Sequence, residues 1–169
     1  CALRAKGDFL CFVHEDIRFL TDGWGESLAR KLSEPDCGVI GFAGSVLKLD
    51  RLTTWLQGVG DMRANYVQHL GARRHLHAKN PDAEDFAAVV TLDGMCLALR
   101  RDVWRAVRFD AETFPRFHCY DLDFTTAVTV SGFRNYVCNT VLIEHFSTGA
   151  YSYEWLETLK TYHRKWHGR

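Results

Sequence analysis

The chain carries no excess of either charge: 21 Lys and Arg residues balance 21 Asp and Glu. That balance excludes the basic field of a non-specific nucleic-acid binder, and there is no acidic tail. No apolar run approaches the ~18 residues of a membrane span, and no secretory signal pattern is present. A cytoplasmic protein with no membrane span of its own is therefore expected. None of the six cysteines (Cys1, Cys11, Cys37, Cys96, Cys119 and Cys138) belongs to a Cys-x-x-Cys pair, which argues against a cysteine zinc site. Cys11, Cys37, Cys96 and Cys138 lie in or beside apolar runs, where free cysteine behaves as a small hydrophobe. Buried thiols in a reducing compartment follow. Internal repeats and low-complexity segments are absent. The chain is instead 47% hydrophobic and rich in Phe, Tyr and Trp, which excludes disorder. Its 169 residues suffice for one domain, 1–169, with a substantial core.

The most informative stretch is Phe9-Leu-Cys-Phe-Val13, followed at once by His14, Glu15 and Asp16. A continuous apolar run without alternation predicts a strand buried on both faces of a sheet. In open α/β sheets ligands sit beyond the carboxyl ends of such strands. Oxygen ligands there can hold Mg²⁺ or Mn²⁺, which neutralises phosphate charge. The plainer alternative is a solvated acidic turn.

Further elements follow in order. Residues 1–6 read as a helix tail stopped by Gly7. Thr21-Asp22 is a helix start signal, and Trp24, Leu28 and Leu32 recur at spacing four, predicting a helix from Trp24 to Ser33. Cys37–Phe42 is a short strand, and Ala43-Gly44-Ser45 is small enough for a backbone to approach a ligand. His75 and His77 alternate beside Arg73 and Arg74. A metal or phosphate patch is conceivable there, but a solvated hairpin face is the simpler reading. Phe86–Leu92 reads as a strand, followed by Asp93-Gly94 and a second strand, Met95–Leu99. Asp102 can cap a short helix. Tyr120-Asp121-Leu-Asp123 runs into a helix ended by Gly132. Strands over Phe133–Cys138 and Val141–Glu144 precede His145-Phe-Ser147-Thr148-Gly149, and a final helix is expected over Tyr153–Trp166 with a basic end. Asp121 and Asp123, two apart, would face different sides of a helix and so do different jobs.

Histidines and acids thus fall at several element ends. The ordered set is an apolar strand with His14-x-Asp16, then Gly41-x-x-Gly44-Ser45, Asp93-Gly94 and Arg101-x-x-Trp104. Phe117-His118-x-Tyr120-Asp121-x-Asp123, Gly132-Phe133 and His145-x-Ser147-x-Gly149 complete it. Together these resemble the glycosyltransferase-like proteins of family 2, most of all the branch that includes a streptomycin-biosynthesis-related domain. The resemblance spans roughly Ala5 to Gly149. It implies an α/β fold: a truncated GT-A-like three-layer α/β/α arrangement with a mixed, mainly parallel sheet.

The resemblance also implies roles. Asp16 stands at the second acid of the family's Asp-x-Asp metal signature, with His14 in place of the first acid, and His145 matches a further metal ligand, so Mn²⁺ or Mg²⁺ is expected. Asp121 matches the catalytic base. Asp93, with Gly94, matches the acceptor side of the cleft; Glu15, Ser45 and Asp123 are further substrate-binding candidates. The implied reaction is inverting transfer of a sugar from a nucleotide-diphospho-sugar donor to a carbohydrate or other hydroxyl acceptor. A base takes the acceptor proton, and a cation stabilises the leaving diphosphate. A carboxylate beside a metal is expected to act ionised, by position rather than by a raised pKa. In the family a nucleotide-binding segment precedes the metal motif, and few residues precede His14 here. An unpaired, apolar Phe9–Val13 edge is therefore expected, covered by a second copy in a homo-oligomer. Two other readings remain: a non-catalytic binding or assembly module on the same scaffold, and a metal-dependent phosphoester hydrolase using Asp16, Asp121 and His145.

Overall fold

The structure, a computed structural model, describes residues 2–55, 58, 60–147, 149 and 152–168. Cys1 and Thr148 lie outside these. After a 3-10 turn at Ala2–Arg4 the chain forms β1 (Phe9–Val13), β2 (Ile17–Phe19), α1 (Trp24–Leu32), β3 (Cys37–Gly41), β4 (Ala43–Ser45), β5 (Met62–Leu70), β6 (Arg73–Lys79), β7 (Phe86–Val89) and β8 (Thr91–Leu92). It continues through β9 (Cys96–Arg100), α2 (Arg101–Ala106), α3 (Tyr120–Val130), β10 (Arg134–Cys138), β11 (Ile143–His145) and α4 (Tyr153–Trp166).

The strands make two sheets. One has the order β1-β9-β3-β10-β7; the other has the order β2-β11-β5-β4-β8, with β6 added on β5. The first sheet is covered on both faces, which is why β3 reads as an unbroken apolar run. On one side Ile40, Ala98 and Tyr136 pack with Leu28 and Leu32 of α1, and this cluster continues into the second sheet through Phe42 and Ile143. On the other side Val39, Leu97 and Val137 pack with Val103 of α2 and with Phe124 and Val128 of α3. The α/β/α layering expected from the sequence is present, and the sheets are mixed. They are not mainly parallel. Among the described pairings only β3–β10 and β5–β11 run parallel. The other pairings run antiparallel, most of them between strands distant in sequence and one as a tight hairpin. That hairpin, β5–β6, turns at Gly71 with φ 61°.

The expectation that β1 is buried on both faces is also corrected. Its only partner among the described residues is β9, so β1 is an edge. Leu10 is buried and Phe12 packs edge-on to Phe109 at 5.0 Å, but Phe9 and Val13 on the opposite face are 41% and 46% exposed. A strand can be apolar because one face is buried and the other meets something else. Cys11 shares that exposed face, so it is not a buried thiol like Cys37, Cys96, Cys119 and Cys138. Its Sγ lies 3.6 Å from that of Cys96, whose hydrogen bond holds the Cys11 thiol below its ordinary pKa. Burial pushes Cys37 and Cys119 up to about 12. Iodoacetamide should therefore modify Cys11 well before the four buried thiols. Mass spectrometry of a partly alkylated sample checks the order.

The helix start differs too. Thr21-Asp22 does not cap α1, whose N-cap is Gly23 with φ 67° and no side-chain cap. The Thr21 hydroxyl instead accepts a hydrogen bond from the Leu142 N–H, fastening the approach to β11. Trp24 stacks on Phe19 with ring centroids 3.8 Å apart. Phe86–Leu92 is broken at Val90 into β7 and β8, one in each sheet. The small residues at 43–45 serve strand packing, because a Cβ on Gly44 would run into the Thr91 carbonyl.

Candidate functional site

Two of the places where the chain passes from one sheet to the other are the β1–β2 and β8–β9 connections. The first crossing carries His14 and Asp16, the second Asp93 and Gly94. Backbone bonds align them. The His14 N–H donates to the Met95 carbonyl at 3.0 Å, and the Phe146 N–H donates to the Asp16 carbonyl at 3.1 Å. The end of β11 is thereby fixed beside Asp16, and the first turn of α3 completes the cluster. A pocket of about 300 Å³ opens here. His14, Asp93, Gly94, Tyr120, Asp121 and His145 line its polar side, with Trp55, Phe117, Trp155 and Leu159 among its apolar walls.

The imidazole and carboxylate donors of His14, Asp16 and His145 all lie within 4.8 Å of one another. His145 Nε2 is 3.6 Å from Asp16 Oδ1 and 3.3 Å from the Ser147 hydroxyl, while its Nδ1 is 3.3 Å from Gln68 Oε1. Gln68 in turn donates to the His145 and Ser147 carbonyls, so the ring is oriented from behind. That second layer is typical of imidazoles that bind metals. Burial lowers the His145 pKa, although Asp16 and Asp93 pull the other way, and the neutral ring is the ligating form. Burial pulls the Asp16 carboxyl up, but the Ser147 hydroxyl and His145 outweigh it and hold the group below its ordinary value. An anionic oxygen and two imidazoles fit a divalent ion of borderline character.

Asp121 sits in the first turn of α3, where a carboxylate suits the helix dipole. Its Oδ2 accepts from the Gly94 N–H at 2.9 Å. Burial, then the charge of Asp93, raise Asp121 to about 7. Burial raises Asp93 as well, against the Met95 N–H bond to its Oδ1 at 2.9 Å. The expectation of an ordinary, fully ionised Asp121 is therefore corrected. The sequence could not show it, because Asp93 lies 28 positions away. Tyr120 links the two halves of the pocket, its hydroxyl 3.0 Å from His14 Nε2 and 3.3 Å from the Gly94 carbonyl. The residue before it, Cys119, holds φ 61°, a left-handed conformation that non-glycine residues rarely take and that recurs at functional sites.

The structure does not bring every candidate here. Glu15 is exposed outside the pocket. Ser45 is fully buried on β4, its hydroxyl without a partner among the described residues, away from the pocket lining. Asp123 faces α4: its carboxylate accepts from Trp166 Nε1 at 2.7 Å and Lys165 Nζ at 2.9 Å, and Lys165 also reaches Asp110 at 2.8 Å. Two acids two apart on a helix point to different sides; Asp121 took the cleft and Asp123 the helix packing. Replacing Asp123 by Ala should cost about 2 kcal/mol through lost charge-assisted bonds and should loosen α4, read as a lower denaturant midpoint with increased amide exchange in 153–166. Gln68, Trp155 and Leu159 were not anticipated. Gln68 sits inside a strand, and the two α4 residues read only as its apolar stripe. His75 and His77 face largely outward on the β5–β6 hairpin, as the simpler reading expected.

A model of the family described as "Glycosyltransferase like family" matches residues 2–155. The chain belongs to this glycosyltransferase-like family. The match covers β1 through the first turn of α4 and so includes every residue of the cluster around Asp16 and Asp121. No curated protein matches the chain. The mixed α/β architecture of this family member is consistent with a GT-A-like fold. Among its described residues no helix is long and apolar enough to cross a membrane.

Proposed function

We propose that the pocket transfers a sugar from a nucleotide-diphospho-sugar to an acceptor hydroxyl with inversion, and that Asp121 is the base. The observation that carries this reading is the pairing of a carboxyl raised to about 7 with a ligand-grade His-Asp-His cluster across one pocket. A base poised near neutrality can accept a proton and still be substantially ionised at working pH. The acceptor hydroxyl gives its proton to Asp121 as its oxygen bonds the anomeric carbon and the bond from that carbon to the diphosphate breaks. The Gly94 N–H holds the Asp121 carboxyl in place. His14, Asp16 and His145 would hold the divalent ion, Mn²⁺ suiting two imidazoles and a carboxylate better than Mg²⁺, and when bound it offsets the charge of the departing diphosphate. Burial, and after it the charge of Asp93, keep the Asp121 pKa high, and Asp93 would take the acceptor side of the pocket. Trp55, Phe117 and Trp155 offer aromatic walls that suit the apolar face of a sugar ring.

The test is release of nucleoside diphosphate from UDP- and GDP-sugars in Mn²⁺ with hydroxyl acceptors present. Turnover abolished by EDTA and by Asp16→Ala supports the reading; turnover unchanged by both removes the metal from it. The second reading, a binding module without turnover, would give ligand binding with no release under any of these conditions.

The open edge of β1 is where a second copy of the chain would pair. Its exposed face carries Phe9 and Val13, and an apolar unpaired edge invites association. Sedimentation should show self-association at micromolar concentration that Val13→Lys weakens; a stable monomer there would remove the homo-oligomer.

A further inference from the structure

The end of α4 and its cap carry a second group of ligand type, none of it in the lining of the pocket. His163 and His167 are four apart and so share one helix face. Asp50, on the segment after β4, meets both. Its carboxylate lies 2.9 Å from His167 Nδ1 and 3.6 Å from His163 Nδ1. The donors of all three lie within 4.8 Å of one another, and the two rings are 5.1 Å apart between centroids. Tetrahedral zinc with bonds of about 2.0–2.1 Å separates its ligand atoms by roughly 3.3 Å, the spacing already present between Asp50 and the two rings. Asp50 and His163 also border a cavity of about 220 Å³, which leaves room for a solvent ligand at the fourth position.

We propose that Asp50, His163 and His167 form a second metal site, selective for a borderline divalent ion such as Zn²⁺. Two imidazoles and one carboxylate suit such an ion better than Mg²⁺ or Ca²⁺, which prefer all-oxygen shells. Lys48, the nearest cation on the same segment, turns its ammonium onto the Leu49 and Arg51 carbonyls and the Thr53 hydroxyl. The lysine thereby shapes the loop that presents Asp50. None of the three lines the pocket to which the transfer chemistry is assigned above, and His163 and His167 lie outside the family match at 2–155.

The site has a structural consequence. Asp50 precedes Thr54 and Trp55, and the histidines end the helix that carries Trp155 and Leu159; all four residues line the pocket. A metal at this position ties together two walls of the cleft from outside it. Its role is to hold them, not to touch substrate.

Zinc titration of the whole chain by calorimetry tests this. The His163→Gln/His167→Gln double variant should bind one zinc equivalent fewer than the parent, whatever the cleft binds. Asp50→Asn should weaken the same equivalent at least tenfold. At a hundredfold excess over Kd, zinc should raise the Tm of an Asp16→Ala chain by about 5–10 °C, and the two glutamines should abolish that rise. Both histidines and Asp50 are partly or largely exposed, so the zinc-free variants should melt close to the parent. An unchanged number of zinc equivalents in the double variant, or no difference in its zinc-dependent Tm rise, would overturn the proposal.

Discussion

Asp121→Asn should lower turnover by about 10²–10⁴, the usual worth of a positioned base, while the chain becomes more stable in alkaline buffer. The two effects have one origin. A folded-state pKa raised to about 7 from 3.8 means that the fold favours the protonated carboxyl. The stability that the neutral form provides is complete below the unfolded value and is lost as pH rises through about 7. An amide never ionises, so the variant escapes that loss. The gap between variant and parent should be near zero below about pH 4, open as the pH rises from about 4 to about 7, and level off above that. Each pKa unit is worth 1.36 kcal/mol. Because Asp93 and Asp121 titrate as a pair, we expect a gain of about 1–3 kcal/mol at pH 8 rather than the full value. Melting curves in EDTA at pH 4, 6 and 8 read this without any substrate. Activity lost together with stability at pH 8 would mean that Asp121 holds the fold rather than the proton.

Gly94→Val is the second change expected to have a large effect. A Cβ at Gly94 would stand 2.5 Å from the Tyr120 hydroxyl and 2.9 Å from Asp121 Cβ. Neither side chain can yield freely, since Tyr120 is bonded to His14 and the Asp121 backbone begins α3. The turn must move, and with it the N–H that holds the Asp121 carboxylate. Overpacking of this kind costs about 1–3 kcal/mol, and a misplacement near 1 Å costs about 10²-fold in rate. The expected outcome is a folded chain with a lower denaturant midpoint, turnover down at least a hundredfold, and the Asp121 titration displaced. Gly94→Ala should act in the same direction with smaller effect. Wild-type turnover in Gly94→Val would separate Asp121 from the chemistry.

The sequence made the local elements legible where a single periodicity governs them. The apolar stripe of α4 and its basic end give Tyr153–Trp166 directly, and the Trp24, Leu28 and Leu32 spacing gives α1. The residues that meet at the pocket were named in advance because each ends an element. Which of them meet was not. Gln68 behind His145 and Asp93 beside Asp121 are contacts between distant segments, and no local pattern records which strand end faces which. For the same reason the apolar run of β1 by itself suggested a central strand, since such a run reports that a segment avoids water and not how many neighbours it has; the edge observed was expected only from the resemblance. Ser45 and Asp123 were substrate-binding candidates through the resemblance, which matches motifs and not the directions of side chains. The structure gives Asp123 to α4 and leaves Ser45 in the seam between β4 and β8.

The most direct test of the transferase site is calorimetric titration of the chain with UDP and GDP in Mn²⁺, alongside Asp16→Ala. The arrangement of His14, Asp16 and His145 beside the pocket predicts that at least one of the two nucleotides binds in Mn²⁺, that binding falls at least tenfold in EDTA, and that Asp16→Ala binds as weakly in Mn²⁺ as the parent does in EDTA. Binding of equal strength with and without the metal, or no heat from either nucleotide, would contradict it.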